Sequence, residues 1–195
     1  MKTILTLFIL FFSSSVFAED ISDFELEGMS VGDSALDFFS LQEITDNIKE
    51  TSYVKKDYTK HSFYKFSFFK KYDIVSIFVK SNDRKYVIQG LTGAVFYEDV
   101  KKCLKERDKI FSEMKNLFDK NVTIDESESG GKKHQADESG ESVIYSIYFD
   151  FESSAYINLK CADVSDAMTK KYGWEDNLGI QLISADFRSW IRNAY

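Results

Sequence analysis

Apolar residues between His61 and Glu98 recur at every second position, and at Val100 the period abruptly lengthens. In "SFYKFSFF", Tyr64, Phe66 and Phe68 alternate with Phe63, Lys65 and Ser67. "IVSIFVK" sets Val75, Ile77 and Val79 on one face, and "RKYVIQGLTGAVFYE" keeps Val87, Leu91 and Val95 in phase. The short polar turns "KKYD" and "SND" join these runs, which predicts a three-stranded antiparallel meander. Gly90 and Gly93 mark a bulge or bend in the third strand. From Val100 onward, Cys103, Leu104, Phe111, Met114 and Phe118 follow 3-4-7 spacing, widened by Ile110 and Leu117. That stripe predicts an amphipathic helix whose lysines and glutamates face water.

Period two then returns. Val143, Tyr145, Ile147 and Phe149 share one phase of "SVIYSIYFDF", and Ala155, Ile157, Leu159 and Cys161 share one phase of "AYINLKC". "ADVSDAMTKKYGWEDN" is a connection with a helical turn, and "LGIQLIS" is a last short strand. "SADFRSWIRNAY" closes the chain as a helix carrying Phe187, Trp190 and Ile191. Upstream, Ser30 with Asp33 and Ser40 with Glu43 form two capping boxes, which predict short helices near 31–39 and 41–50. Their expected buried positions are Leu36, Phe39, Ile44 and Ile48. The glycines of "EGMSVG" fit a helix-entry turn, because no strand–GxxxxGK[ST]–helix pattern follows. The predicted fold is α+β. It has one antiparallel sheet of about five to six strands, with helices packed on one face.

The compartment is read from the ends and the cysteines. "MKTILTLFILFFSSSVFA" has a basic n-region at Lys2, an apolar h-region from Ile4 to Phe12 and a small-residue end. This is the pattern of a signal peptide over residues 1–18, cleaved before Glu19. Its apolar run is far shorter than the roughly 20 residues that cross a bilayer, so no membrane insertion is expected after cleavage. Cys103 and Cys161 in an exported chain are expected to form one disulfide. It would join the long helix to a strand and close a loop of roughly 60 residues, stabilising by about 4 kcal/mol on the chain-entropy model. No CxxC or HxxxH spacing suggests a metal site, and no cofactor is expected. The net charge of −7, one unit more negative without Lys2, disfavours nucleic acid as a partner. Eighteen Phe and eleven Tyr supply a sizeable core, so residues 19–195 are expected to form a single domain.

One segment breaks the pattern. "NVTIDESESGGKKHQADESGES", near 121–142, is polar and Gly/Ser-rich, and reads as a flexible loop. It places His134, Asp137 and Ser139 within six positions, the side-chain types of nucleophilic hydrolysis. A triad needs members held rigidly from distant segments and backed by oxyanion donors. Ser139 does not stand in a GxSxG elbow, having Asp137 and Glu141 at the glycine positions. The loop acids offer calcium oxygens, but "DESESGGKKHQA" has Ala136 where an EF-hand needs its bidentate glutamate. Asp137 and Ser139 fit turn formation, and His134 is the residue that this leaves least explained. His61 reads as a surface or turn residue at the start of the first strand. Tyr64, Tyr86, Tyr148 and Tyr156, in the exposed phase, could line a binding face or simply pair across strands.

"EGMSVGDSALDFFS", together with "HQADESGES", "YFDFESSAYINLKC" and "DNLGIQLISADFRSWI", resembles a set of small signal-bearing proteins of AT-rich marine bacteria. The resemblance spans most of the mature chain and implies a periplasmic location. It carries over no activity, cofactor or catalytic residue. The expectation is a non-catalytic periplasmic or secreted binding domain whose partner is a protein or a small ligand. The alternative is a hydrolase or metal-dependent enzyme using the loop around His134 and Asp137.

Overall fold

The computed structural model describes residues 20–49, 54–118 and 122–194. The segment expected to be a signal peptide lies outside them. Nine strands and four α-helices follow in chain order. They are α1 (Leu41–Asp46), β1 (Ile48–Lys49), β2 (Tyr58–Tyr64), β3 (Ile74–Lys80), β4 (Ile88–Phe96) and α2 (Val100–Met114). After these come β5 (Val122–Asp125), β6 (Lys132–Lys133), β7 (Val143–Phe151), β8 (Tyr156–Asp163), α3 (Asp166–Tyr172), β9 (Asn177–Ile183) and α4 (Ala185–Ile191). All strands belong to one antiparallel sheet in the order β1-β2-β3-β4-β9-β8-β7-β5, with β6 also on the outer edge of β7. The last strand therefore inserts between the two meanders and makes the sheet continuous.

The sheet has more strands than the five to six expected. The additions are β1, β5 and β6, of two, four and two residues. They are edge pieces whose sequences are too short and polar to show alternation. The "NVTIDESESGGKKH" stretch is thus partly ladder: Val122–Asp125 pairs with Phe151–Tyr148, and Lys132–Lys133 pairs with Ile144–Val143.

The first face of the sheet carries the main core. Val75, Ile77, Leu91, Ile157, Leu159 and Leu182 are buried there at 1 % exposure or less. Helix α2 lies over it, and Cys103 in α2 is bonded to Cys161 in β8 with a Cα–Cα distance of 6.0 Å. The bridge closes a 58-residue separation, as the spacing of the two periods predicted. Phe118 extends the cover, its ring 4.9 Å from Phe149 and 5.4 Å from Phe24. At the other side Phe39 stacks on Phe63 at 3.8 Å. Phe66, Phe68 and Phe69 gather around Phe39 from the β2–β3 connection. The "SFYKFSFF" alternation thus ends as a strand at Tyr64, and its later aromatics serve as a lid on the core.

The two capping boxes diverge. Ser40 and Glu43 form a reciprocal box that starts α1. Asp33 accepts from Ser30 N at 2.8 Å, but no α-helix follows. Gly32 N instead donates to Ile88 O, and Ile88 N donates to Asp33 O, both at 2.9 Å. The strand takes the backbone groups that a helix would have used, leaving a 3-10 turn at Ala35–Asp37. Phe39 and Ile44 are buried as expected, whereas Leu36 and Ile48 are exposed.

The helices do not all lie on one face. Phe187 of α4 packs on Phe78 at 4.7 Å, and Phe78 is out of phase with Val75, Ile77 and Val79. A Cβ at Gly90 would fall 2.8 Å from the Phe187 ring, so glycine permits the approach. Tyr58, Ile183 and Trp190 complete this second, smaller cluster. The amphipathic stripe of α4 required a partner, and the half of the sheet already under α2 offered none.

Candidate functional site

The remainder of that second face is polar. The register aligns Ser62, Ser76, Thr92, Gln181, Asn158 and Tyr148 in one row across six strands. The next row holds Tyr64, Ile74, Ala94, Gly179, Lys160 and Ser146. The middle of this face therefore carries polar side chains beside the small Ala94 and Gly179, with tyrosines at the flanks. Helix α4 covers one end, at the close of β9, and α3 stands at the opposite end, after β8.

The polar groups of these rows are incompletely paired. Ser62 and Ser76 share a hydrogen bond of 2.8 Å, and Asn158 Nδ2 donates to Gln181 Oε1 at 3.3 Å. Asn158 Oδ1 and Thr92 Oγ1 are buried and have no partner. Each such atom costs about 1–3 kcal/mol of desolvation. Lys60 and Lys160 flank them, each half-buried. Burial pushes Lys160 down to about 8, and the charge of Lys60 adds to the effect. Lys60 is lowered by burial and then by the charge of Lys49. Among the described residues, no carboxylate forms a salt bridge with Lys60 or Lys160. Three of the four exposed-phase tyrosines, Tyr64, Tyr148 and Tyr156, lie on this face. Tyr86 instead packs beside the main core.

The loop behaves differently. Asp137 is buried at 6 % exposure. Its Oδ1 accepts from Ser139 N at 3.0 Å and Ser139 Oγ at 2.7 Å. Its Oδ2 accepts from Ser142 N at 2.8 Å and from Ser165 Oγ at 2.9 Å. Ser165 is the N-cap of α3, so one carboxylate ties the loop to that helix. The hydrogen bond to Ser142 is the largest influence holding this carboxyl far below the usual range. His134 Nδ1 accepts from Ala136 N at 3.2 Å, and its ring meets Trp174 edge-on at 5.2 Å. Burial and then the Lys160 ammonium hold this imidazole below its usual range, with Asp137 acting the other way. The Ser139 hydroxyl therefore donates to Asp137, not to His134. Glu128 is occupied by Lys132 and by the Tyr148 hydroxyl.

His61 is a buried strand residue rather than a surface one, at 2 % exposure. Its Nδ1 lies 2.7 Å from Ile44 O and its Nε2 lies 2.9 Å from Thr59 Oγ1. Nδ1 thereby fastens α1 to β2, and Nε2 is used within β2 itself. Lys60, Thr92, Asn158 and Lys160 carry no signature in the sequence. Each is one polar letter in an alternating strand; Asn158 and Lys160 share a face as neighbours in phase on β8, and only the register sets Lys60 and Thr92 on that face too.

Comparison with protein-family models, curated proteins and solved structures finds no match to the chain.

Proposed function

We propose that the protein is a non-catalytic, exported binding domain that holds a small polar ligand against the polar middle of the second sheet face. The observation that carries this reading is that Asn158 Oδ1 and Thr92 Oγ1 are buried without a hydrogen-bond partner, whereas a third such atom on this face, Asp150 Oδ1, is ion-paired with Arg188. Native proteins leave few such atoms, and a polar ligand on this face would satisfy both. The disulfide supports an oxidising compartment, in keeping with the signal-like leader and a periplasmic location. The loop supports binding rather than hydrolysis, because the groups that would activate Ser139 are spent on turn hydrogen bonds.

The test is to block this face. Ala94, at 8 % exposure, pairs with Gly179 and lies two residues from Thr92 on the same face, where Ala94→Trp would place a bulky ring. Native mass spectrometry of protein purified from the periplasm, with a thermal-shift screen of small polar metabolites, should find ligands for the wild type that the variant no longer binds. Equal ligand binding by a folded Ala94→Trp would remove this face from consideration.

A further inference from the structure

Lys160 is the amine that the fold holds down without a partner. It projects from β8 on the second face and is half-buried, yet among the described residues no carboxylate, hydroxyl or carbonyl engages its ammonium group. Its stem lies across β9: a Cβ at Gly179 would fall 3.3 Å from its Cε and 3.5 Å from its Cγ. Gly179 pairs with Ala94 on β4. The next two positions of its row thus carry no side chain longer than a methyl, and neither can cap the amine. Asn158 follows in phase on β8, two residues or about 7 Å away, and leans the same way. Its Nδ2 donates to Gln181 Oε1 on β9 at 3.3 Å, while its Oδ1 is buried without a partner. Lys60, the other half-buried lysine of this face, differs in having an aromatic neighbour, with its Nζ 6.0 Å from the centre of the Phe78 ring.

We propose that Lys160 is a nucleophilic amine that captures a small hydroxylated aldehyde as an imine, with a ligand hydroxyl donating to Asn158. This rests on the second face being the ligand site, and it makes the binding there covalent and reversible. The amine nitrogen adds to the carbonyl carbon, and the carbonyl oxygen then leaves as water with both amine protons. No oxidant or reductant is required. Only the free amine carries the lone pair that attacks. Burial and the charge of Lys60 push Lys160 down to about 8, so roughly a tenth of it is free amine at pH 7, against well under a thousandth for an ordinary lysine near 10.4. A desolvated lysine close to another cation is a general route to an activated amine. Lys60 of β2 and His134 of the loop before β7 are the titratable groups coupled to its charge, and no carboxylate is among them. Asn158 Oδ1 can only accept, which selects a ligand with a hydroxyl donor. The carbonyl carbon must approach an amine lying against the sheet, which favours an aldehyde over a bulkier ketone.

The experiment is to expose the wild-type protein briefly to a limiting amount of glyceraldehyde, reduce it with borohydride and locate the adduct by peptide mass spectrometry. Lys160 should be labelled at least tenfold more than Lys105, which is exposed on α2. Across a pH series its labelling should reach half of the plateau near pH 8, whereas N-acetyl-lysine in the same mixture should do so near about 10.4. Propionaldehyde, the same carbon chain without hydroxyls, should give a Lys160-to-Lys105 ratio at least threefold lower. Labelling of Lys160 no stronger than that of Lys105, preferential labelling of Lys60, or a half-plateau at the pH of N-acetyl-lysine would overturn the proposal. An equal ratio with propionaldehyde would overturn its hydroxyl contact to Asn158. If Lys160 resists both aldehydes while the metabolite screen still finds ligands that Ala94→Trp loses, the imine falls and the reading of this face as a binding site stands. If that screen is empty as well, both fall.

Discussion

The two faces of the sheet are made from the same strands, yet they are finished differently. On the first face nearly every inward residue is apolar, and α2 is bonded to the sheet through Cys103 and Cys161. On the second, α4 seals one end with Phe187, while the rest keeps Lys60, Lys160 and the unpartnered Thr92 Oγ1 and Asn158 Oδ1. Buried polar groups are normally satisfied, and buried charges are normally paired. The first face is therefore built for stability. The second gives some of that stability up.

The contrast can be broken most directly at the first face. Replacing both Cys103 and Cys161 with serine should lower the unfolding free energy by roughly 4 kcal/mol, read from urea denaturation. A similar urea midpoint for the variant and the oxidised wild type would show that the bridge does not hold α2 down. A smaller loss is expected at the loop that joins β6 to β7. Asp137→Asn should shift the acid-unfolding midpoint toward neutral pH at the top of the transition and flatten its lower limb. The sign follows from the depressed carboxyl: its stabilisation is present above the ordinary carboxylate pKa near 4 and is lost as pH falls. An unchanged acid limb would mean that the bonds to Ser142 and Ser165 contribute nothing.

At the second face the expected effects reverse in sign. Lys160 titrates lower in the folded protein, at about 8 against an ordinary value near 10.4, so the unfolded chain binds more protons between these limits. Its contribution should make the protein more stable as pH rises from about 8 toward 10. Lys160→Met should raise the melting temperature at pH 7 and abolish that rise. A lower melting temperature would show that the ammonium is well solvated where it stands. The smallest effect is expected from Thr92→Val, which removes an unpartnered buried hydroxyl at nearly constant volume. It should be neutral or stabilise by up to about 1 kcal/mol, whereas a loss above that would reveal a hydrogen bond to an unseen partner.

How legible these faces were depended on the reach of the signal. The α2 stripe, the β3 and β9 runs and the Cys103–Cys161 link could be read directly, because each rests on a local period and one phase. The "SVGD" box could not, since its outcome was decided by hydrogen bonds to Ile88, more than fifty residues away. The same holds for β5 and β6, which are strands only because the edge of β7 is there to receive them. His134 and Asp137 were visible as types, but the partners that define them, Trp174 and Ser165, come from later segments.

The sequence by itself determined the α+β class, the main helix, the core phase of the central strands and the helix-to-strand disulfide. These follow from side-chain periodicity and from cysteines placed within apolar phases. Only the tertiary structure decided the sheet order, the face taken by α4 and the placing of Lys60, Thr92, Asn158 and Lys160 on one sheet face. Those positions lie on three strands, and Lys60 and Lys160 belong to opposite meanders. Their common face arises from β9 pairing with both β4 and β8, a long-range registry that no local pattern encodes.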